Sequence, residues 1–549
     1  ADAPWRAAVP RLPRQGSTGL PDPLGGTSLG VLIRAIPGAV MRERAASSSG
    51  TGDAAGTPRH GAVLAVTCLA LATVVAAMAS LNVALPDIAR ETHAKQSELS
   101  WIIDAYSLVF ASLLLLTGTL GDRYGRRKAL MGGLALFAAT SLAATFTSDA
   151  VTLIAVRAVL GIAAAFVMPA TLSTITSTFP REQRARAVSV WAGAAGGSAV
   201  LGLLASGALL EAWSWRSVFW LNVLLAGVAL IGTLLVVPES AQPGRHPIDL
   251  VGAVLTVAGL GILVYSIIEA PNNGWGGART LGGIAAGLLV LAGFVLWELR
   301  RPHPLLDPRV FRRVHLSAGS LSVTFQFFAF YGFIFVMMQY LQLVRRDSAL
   351  MAAVSVLPLA AVMIPTTRLS PRLTSRFGRR GPWTVGLLAV AAGLTVLARL
   401  DASSGYGLVV AGLVPLGIGM GMAMTPATAS ITDTLPRSLQ NVGSALNDLS
   451  RELGGALGIA VIGSVLDAVY RGHLDVTGLP APVADAARSS LAAASAVGSP
   501  ELTEQAREAF TTGLHLAFTT GAAAVALSAL AVFFLLGRAR PVPDGVAGG

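Results

Sequence analysis

The chain has 549 residues, of which 53% are apolar and only 13% are charged, and its mean hydropathy is +0.66. A soluble domain has about 25% charged residues, so this composition excludes a water-soluble protein and predicts a membrane protein. The single cysteine, Cys68, excludes an intrachain disulfide framework. The net charge of +11 is better explained by membrane topology than by nucleic-acid binding.

The positions of the two lysines, Lys95 and Lys128, argue against ATP as the energy source of the protein. A Walker A loop ends in Gly-Lys-Ser/Thr, and neither lysine follows a glycine. The sequence therefore predicts that the protein hydrolyses no ATP, and that any uphill work draws on another gradient.

The first 61 residues are rich in Gly, Pro, Ser and Arg, which predicts a disordered tail. The first methionine is Met41, so we interpret residues 1–40 as preceding the native start. From Ala62 the chain alternates long apolar runs with short polar links, and a helix needs about 20 residues to cross a bilayer. Fourteen such runs begin near Ala62, Trp101, Ala129, Val151, Val188, Val218, Leu250, Leu281, Ser317, Ala349, Pro382, Tyr406, Val442 and Thr512, and the last ends near Leu536.

The distribution of arginine and lysine predicts the orientation. Most basic residues fall in the two tails and in every second link, so these are expected to face the cytoplasm. Arg345 and Arg346 are an exception on the outer side. The only long link, residues 470–510, is also placed outside, with a short surface helix expected at Ser499 to Phe510.

A repeated motif indicates two related halves. After the second run the chain reads Gly118-Thr-Leu-Gly-Asp122-Arg-Tyr-Gly125-Arg-Arg-Lys, and Thr374-Ser-Arg-Phe-Gly-Arg-Arg380 is a weaker echo 253 residues later. Secondary transporters are commonly built from such repeats. We therefore predict an N-terminal six-helix half at residues 62–237, an inserted pair at 250–299, a C-terminal half at 317–537 and a cytoplasmic tail at 538–549.

These residues carry a resemblance to the major facilitator superfamily, whose 2-3 link has the pattern G-x-L-x-D-R-x-G-R-R/K. Fourteen runs resemble its 14-helix drug:proton antiporter branch, and several strings are similar to quaternary-ammonium multidrug exporters. They are Leu81-Asn-Val-Ala-Leu-Pro86, Trp101-Ile-Ile-Asp-Ala-Tyr-Ser107, Arg157-Ala-Val-Leu-Gly161, Glu211-Ala-Trp-Ser-Trp-Arg216 and Ser444-Ala-Leu-Asn-Asp448. Two features depart from the family: the Gly-Pro signature in span 5 reads Gly202-Leu203, and Ala77 replaces an aspartate.

Ionisable residues inside the runs are rare because each is costly in a bilayer, and they are therefore the candidates for proton coupling. Asp104 is the first candidate, and a solvated carboxylate in the headgroup region is the alternative. Arg157 matches a family arginine implicated in proton transfer, or it forms a structural ion pair or extends its side chain toward the outer surface. Asp448 either faces the cavity or belongs to a salt-bridge cluster with Arg451 and Glu452.

Other candidates follow from the motifs. The glycines at 118, 121 and 125 predict a tight turn, and Asp122 is expected to meet a helix end or an arginine of the other half, which forms a conformational latch. Topology suffices to explain Arg126 and Arg127. The latch set is Gly118, Asp122, Arg123, Gly125, Arg126 and Arg127. The substrate-cavity set is Asn82, Trp101, Tyr106, Gln326 and Tyr331, and the set of small interface residues is Gly193, Gly197, Gly202 and Ser206.

The resemblance implies a monomeric secondary transporter of the bacterial inner membrane that exports amphipathic, cationic drugs in exchange for protons, without a cofactor. Proton-coupled uptake, or export of a neutral or anionic natural product, stays open because the span 5 signature is altered. A membrane enzyme or receptor is the remote alternative, since the chain has no His-Glu-x-x-His, Gly-x-Ser-x-Gly or Gly-x-Gly-x-x-Gly motif.

Overall fold

All regular elements in the described part of this computed structural model, residues 57–240, 249–302, 304–433 and 440–538, are helices. The tails predicted to be disordered lie almost wholly outside these residues. The helices are α1 Thr57–Thr92, α2 Gln96–Tyr124, α3 Arg126–Ala144, α4 Ala150–Thr178, α5 Arg181–Ala212, α6 Arg216–Val236, α7 Leu250–Ile268, α8 Ala270–Asn273, α9 Ala278–Arg300, α10 Val314–Gln339, α11 Ala349–Ser355, α12 Leu357–Phe377, α13 Arg380–Leu397, α14 Tyr406–Asp433, α15 Gln440–His473, α16 Ala481–Ser489, α17 Leu491–Ala496 and α18 Pro500–Arg538.

Among the described residues, thirteen helices are long and apolar enough to cross a membrane. Each of the fourteen predicted runs forms a helix, with the run from Ala349 divided into α11 and α12. The third run forms α3, whose basic first turn of Arg126, Arg127 and Lys128 lowers its mean hydropathy. The protein is therefore a multi-pass, all-helical membrane protein.

Local chemistry explains several helix boundaries. The Asp149 carboxylate accepts a hydrogen bond from the Thr152 backbone N–H at 2.8 Å and caps α4. At the junction of α2 and α3, Gly125 has a φ of 118°, a backbone conformation that is costly for any residue with a side chain. Gly118 and Gly121 lie inside α2, so the predicted three-glycine turn is wrong: Gly125 alone makes it.

Two bundles form the body of the protein. In the N-bundle (α1–α6), α2 and α3 both pack on α4, and α3 packs on α6. In the C-bundle (α10–α18), α10 packs on α15, α14 packs on α12 and α13, and α18 packs on α13 and α15. One buried apolar core runs through both bundles. The pattern of helix contacts therefore repeats between the bundles, as the duplicated motif predicts.

The inserted pair, α7 and α9, is joined to the rest of the protein through α7. Leu260 and Val264 of α7 form one apolar cluster with Leu108 of α2 and Ala460 of α15. α7 thus contacts both bundles, whereas most of α9 is exposed. At the other end of the pair, the Trp297 indole N–H of α9 donates to the capping carboxylate of α7 at 2.9 Å.

The segment before the last helix differs from its prediction. Residues 499–510 do not form a separate surface helix, because α18 runs without a break from Pro500 to Arg538. The buried residues Leu502, Ala506 and Phe510 are spaced by four, so this first part of α18 presents one apolar face to the core. The helices α16 and α17 occupy the rest of the link.

Candidate functional site: the seam between the two bundles

Direct contacts join the bundles at one end of the spans, which we call the closed end. There the Gln342 side-chain amide donates to the Val83 carbonyl at 2.9 Å, and the Ser348 hydroxyl donates to the Glu211 carboxylate at 2.5 Å. A Cβ placed on Gly207 of α5 would lie 2.8 Å from the Leu350 Cα. These contacts belong to α1, α5, the end of the C-bundle's first span and the start of its second span, so the seam is packed at this end.

Asp104 lies inside this seam. Ser100, Asp104 and Leu108 are each one turn apart and share one face of α2. Ser100 is close to Gly463 of α15, and Leu108 joins the cluster of α7 and α15. Asp104 is 0% exposed, and neither carboxylate oxygen has a hydrogen-bond partner among the described residues. The alternative of a solvated carboxylate is therefore wrong, because α2 begins at Gln96 and α15 covers this face.

Arg157 is also fully buried, but it has partners within the N-bundle. Its Nε donates to the Ile102 carbonyl at 2.8 Å, and its guanidinium lies over the Tyr106 ring at 4.4 Å. Both terminal nitrogens lack partners, and within the described ranges no carboxylate pairs with it. In place of the expected structural ion pair, the guanidinium donates to a carbonyl, and its planar surface lies on an aromatic ring.

Tyr331 bridges the two bundles near the middle of the spans. Its hydroxyl contacts the Met78 sulfur of α1 at 3.2 Å, and its ring packs against Gly455 of α15. Gln326, five residues earlier on α10, is buried, and its amide nitrogen donates to the Ser322 hydroxyl at 2.9 Å. Its amide oxygen has no hydrogen-bond partner among the described residues.

Sequence reasoning chose Asp448 on α15, but the more buried carboxylate is Glu452. Asp448 lies 4.0 Å from the Arg451 guanidinium, which also covers the Phe327 ring at 4.6 Å. Glu452 is 4% exposed, and its Oε2 lacks a partner in the described part of the chain. Glu452 lies one turn before Gly455 on α15, so it is on the helix face that packs against Tyr331. The apolar residues that follow it along α15 were the signal that could have identified it.

The other cavity candidates lie away from the centre of the seam. The Trp101 ring is 6.0 Å from the Tyr265 ring of α7, so it contacts the inserted pair. The Tyr106 hydroxyl donates to the Val74 carbonyl at 3.1 Å within the N-bundle. Asn82 is buried in α1, where its amide donates to the Met78 carbonyl at 3.2 Å.

The residues predicted to form a latch make their contacts within the N-bundle. Asp122 accepts a hydrogen bond at 2.7 Å from Arg126, which is 6% exposed and also reaches the Ser173 carbonyl of α4. Arg127 donates to the Leu234 carbonyl of α6 at 2.6 Å. The expectation that Asp122 meets an arginine of the other half is wrong for this conformation, and topology alone does not explain Arg126 or Arg127. Arg123 is exposed beside Tyr124.

The small residues of α5 divide into two groups. Gly202 packs on Ala76 of α1, and the buried Ser206 hydroxyl donates to the Ser80 carbonyl at 2.8 Å. Gly193 and Gly197 are exposed, and apart from the backbone of α5 itself no atom of the described residues lies within 4 Å of the position that a Cβ would take on either. Tight packing was thus expected along the whole helix but occurs in one half of it.

Comparison with known proteins shows the family. The model of the Major Facilitator Superfamily matches residues 67–459. The tetracenomycin C resistance and export protein of Streptomyces glaucescens is 34% identical, covering 84% of this chain and 88% of that protein. The multidrug efflux pump LfrA of Mycolicibacterium smegmatis is 33% identical, over 85% of this chain and 94% of that one. The multidrug resistance protein Stp of Mycobacterium tuberculosis is 32% identical, over 73% and 76%.

Solved structures support the same fold. A bacterial homologue of the human lysosomal transporter Spinster, in an inward-facing and unoccupied conformation, has a TM-score of 0.59 at 20% identity, over 88% of this chain and all of that one. A peptide transporter in complex with sulfate has a TM-score of 0.60 at 14% identity, over 87% and 94%. At these identities the likeness concerns the fold alone.

Proposed function

This chain belongs to the major facilitator superfamily, and we propose that it exports amphipathic, drug-like compounds, organic cations among them, across the bacterial inner membrane in exchange for protons. It does so as a monomer by alternating access, with no ATP and no cofactor. Both termini lie in the cytoplasm, and the closed end faces the exterior. The names of the three relatives, each a drug resistance or efflux protein covered over most of its length, support this role.

Asp104 carries the proposal of proton coupling. A carboxylate is costly to remove from water unless it is paired, and Asp104 is fully buried without a partner in the described residues. Closing the seam over this side chain therefore favours the uncharged acid. When the bundles separate at the closed end, water reaches Asp104 and it exchanges its proton with the exterior. The seam closes once a proton is bound, and the proton leaves Asp104 for the cytoplasm when the transporter takes up its substrate there. Proton entry is thus coupled to the return of the empty transporter.

The test uses the full chain reconstituted in liposomes with an imposed pH gradient. The wild type is expected to move rhodamine 6G against its gradient while the internal pH changes. Asp104→Asn carries the amide in place of the acid and is expected to bind rhodamine 6G but to lose movement driven by the pH gradient. The readouts are dye fluorescence and a trapped pH indicator.

Asp149→Asn is the matched control. Asp149 is exposed, and the hydrogen bond from the Thr152 backbone N–H holds the pKa of its carboxyl below the usual range. Asparagine is also a good N-cap, so this variant should keep normal transport. If Asp104→Asn moved the dye under the pH gradient as well as Asp149→Asn did, the proposed coupling would be wrong.

A second candidate function is export of a neutral or anionic natural product. The altered signature of α5, which reads Gly202-Leu203 in place of Gly-Pro, favours it. Susceptibility of an efflux-deficient host to a panel of cationic and acidic compounds separates the two, with Asp104→Asn beside the wild type.

A further inference from the structure

The helix α12 carries a row of arginines that the function above does not use. Between Ala349 and Leu400 the chain has no aspartate or glutamate. The arginines on α12 and the turn after it are Arg368, Arg372, Arg376, Arg379 and Arg380. Membrane topology accounts for the last three, because they lie at the end of the span.

Arg368 lies too deep for that explanation. The span Ala349–Phe377 has 29 residues, about 44 Å of helix, around a hydrocarbon core of about 30 Å. Its midpoint is residue 363, so the Arg368 backbone is about 7 Å from the middle of the span. An arginine at this depth needs water, an anion or a protein acceptor. Neither Arg368 nor Arg372 has a hydrogen-bond or carboxylate partner in the described part of the chain, and both are exposed.

The helix geometry directs Arg368 away from the C-bundle. The Ser370 hydroxyl donates to the Met422 carbonyl at 2.8 Å, so this side of α12 faces α14. A helix turns by about 100° per residue, which places Arg368 on the opposite side. Leu350, which touches α5, lies in α11, the first part of the same span, 18 residues before Arg368.

The helix α5 contacts the first part of this span at the closed end. Gly207 is in backbone contact with Leu350 of α11, but apart from the backbone of α5 itself no atom of the described residues lies within 4 Å of a Cβ placed on Gly193 or Gly197, further along α5. Gly193 is 14 residues from Gly207, or about 21 Å along the helix. α5 and this span therefore border a cleft that widens away from the closed end. Arg368 lies 18 residues, or about 27 Å, from the contact at Leu350, which is about 6 Å beyond the level of Gly193.

We propose that Arg368 and Arg372 bind the acidic group of an amphiphile that enters this cleft. Two guanidinium groups one turn apart offer planar pairs of N–H donors that match a carboxylate, phenolate, sulfonate or phosphate. This inference rests on the proposed function, because the cleft is the loading route of the exporter, and it extends the substrates to acidic amphiphiles. The acidic group belongs either to a solute or to the phosphate of a lipid at the cleft.

Two xanthene dyes serve as matched probes: fluorescein, which is anionic, and rhodamine 6G, which is cationic. Binding of both to the purified full chain is measured by fluorescence polarisation in dodecyl maltoside, which contains no phosphate. Losing a charge-assisted hydrogen bond should weaken fluorescein binding to Arg368→Gln by about tenfold or more. Arg368→Lys should restore part of this affinity, and rhodamine 6G binding should not fall. Arg379→Gln, at the exposed turn after α12, is the control and should bind fluorescein like the wild type.

The lipid source is tested in liposomes. If a lipid phosphate occupies the site, Arg368→Gln leaves fluorescein binding in detergent unchanged but removes any dependence of rhodamine 6G export on the phosphatidylglycerol content of the membrane. If fluorescein binding and this lipid dependence are both the same in Arg368→Gln and the wild type, the inference is wrong. Failure of the proposed function is a separate result, namely a wild type that moves no rhodamine 6G under a pH gradient.

Discussion

Two buried ionisable side chains of the N-bundle, Asp104 and Arg157, are accommodated in different ways. Arg157 is charged at any relevant pH, so it needs partners at all times, and it has the Ile102 carbonyl and the Tyr106 ring. Asp104 can become neutral by binding a proton, and its carboxylate has no hydrogen-bond partner among the described residues. An aspartate is therefore suited to a site whose charge changes during transport, whereas an arginine is suited to a site whose charge stays constant.

At the residue scale, we expect Arg157→Lys to destabilise the protein. Lysine keeps the charge but has neither the Nε–H that reaches Ile102 nor the flat surface that lies on Tyr106. Losing this hydrogen bond to a charged group should cost about 1.5–3 kcal/mol. Thermal unfolding in detergent measures the loss, with Arg379→Lys at an exposed position as the control. Equal stability of Arg157→Lys and the wild type would contradict this assignment.

At the element scale, α5 serves two different neighbours along its length. Gly202 and Ser206 fix it to α1, and Gly207 fixes it to the start of the C-bundle's second span. Gly193 and Gly197 face open space in this conformation. The helix is therefore packed against the C-bundle at the closed end, whereas its other half packs within the N-bundle, where the Trp191 indole N–H donates to the Thr171 hydroxyl of α4 at 3.1 Å.

This division predicts opposite effects of the same substitution on α5. A Cβ at Gly202 would lie 2.8 Å from the Ala76 Cα, and that backbone atom cannot move aside easily. Overpacking of this kind costs about 1–3 kcal/mol, so Gly202→Ala should lower the unfolding temperature. Gly193→Ala meets no atom and gains helix propensity of up to about 1 kcal/mol. If both variants lost equal stability in the same unfolding assay, the packing of α5 described here would be wrong.

At the scale of the whole bundle pair, transport requires the closed end to open. The Ser348 hydroxyl and the Glu211 carboxylate are in contact across the seam at 2.5 Å. Cysteines at these two positions, in a Cys68→Ser background, should be joined by a short bifunctional thiosulfonate. The joined protein should export no rhodamine 6G, and reduction should restore export. Each single cysteine variant, treated in the same way, is the control, and full export by the joined protein would exclude motion at this seam.

The candidate site was only partly predictable from sequence. The scarcity of charges in apolar runs identified Asp104 and Arg157 without any structure, because burying a charge is costly wherever it lies along a span. The same reasoning ranked Asp448 above Glu452. The spacing of these two residues places them on one helix face but does not show which of them is covered by a neighbouring helix. The latch residues were identified by the motif, but their partners in α4 and α6 are distant in sequence.

The sequence by itself determined that the chain crosses a membrane many times as helices, which apolar runs form them, and that the two halves are related. These properties follow from hydropathy and backbone hydrogen bonding, which act locally along the chain. Only the tertiary structure decided which face of each helix is covered, that α7 contacts both bundles, and that α5 is packed at Gly207 and free at Gly193. Neighbouring helices are apolar on every side in a bilayer, so the pattern of apolar residues alone cannot tell a protein contact from a lipid contact.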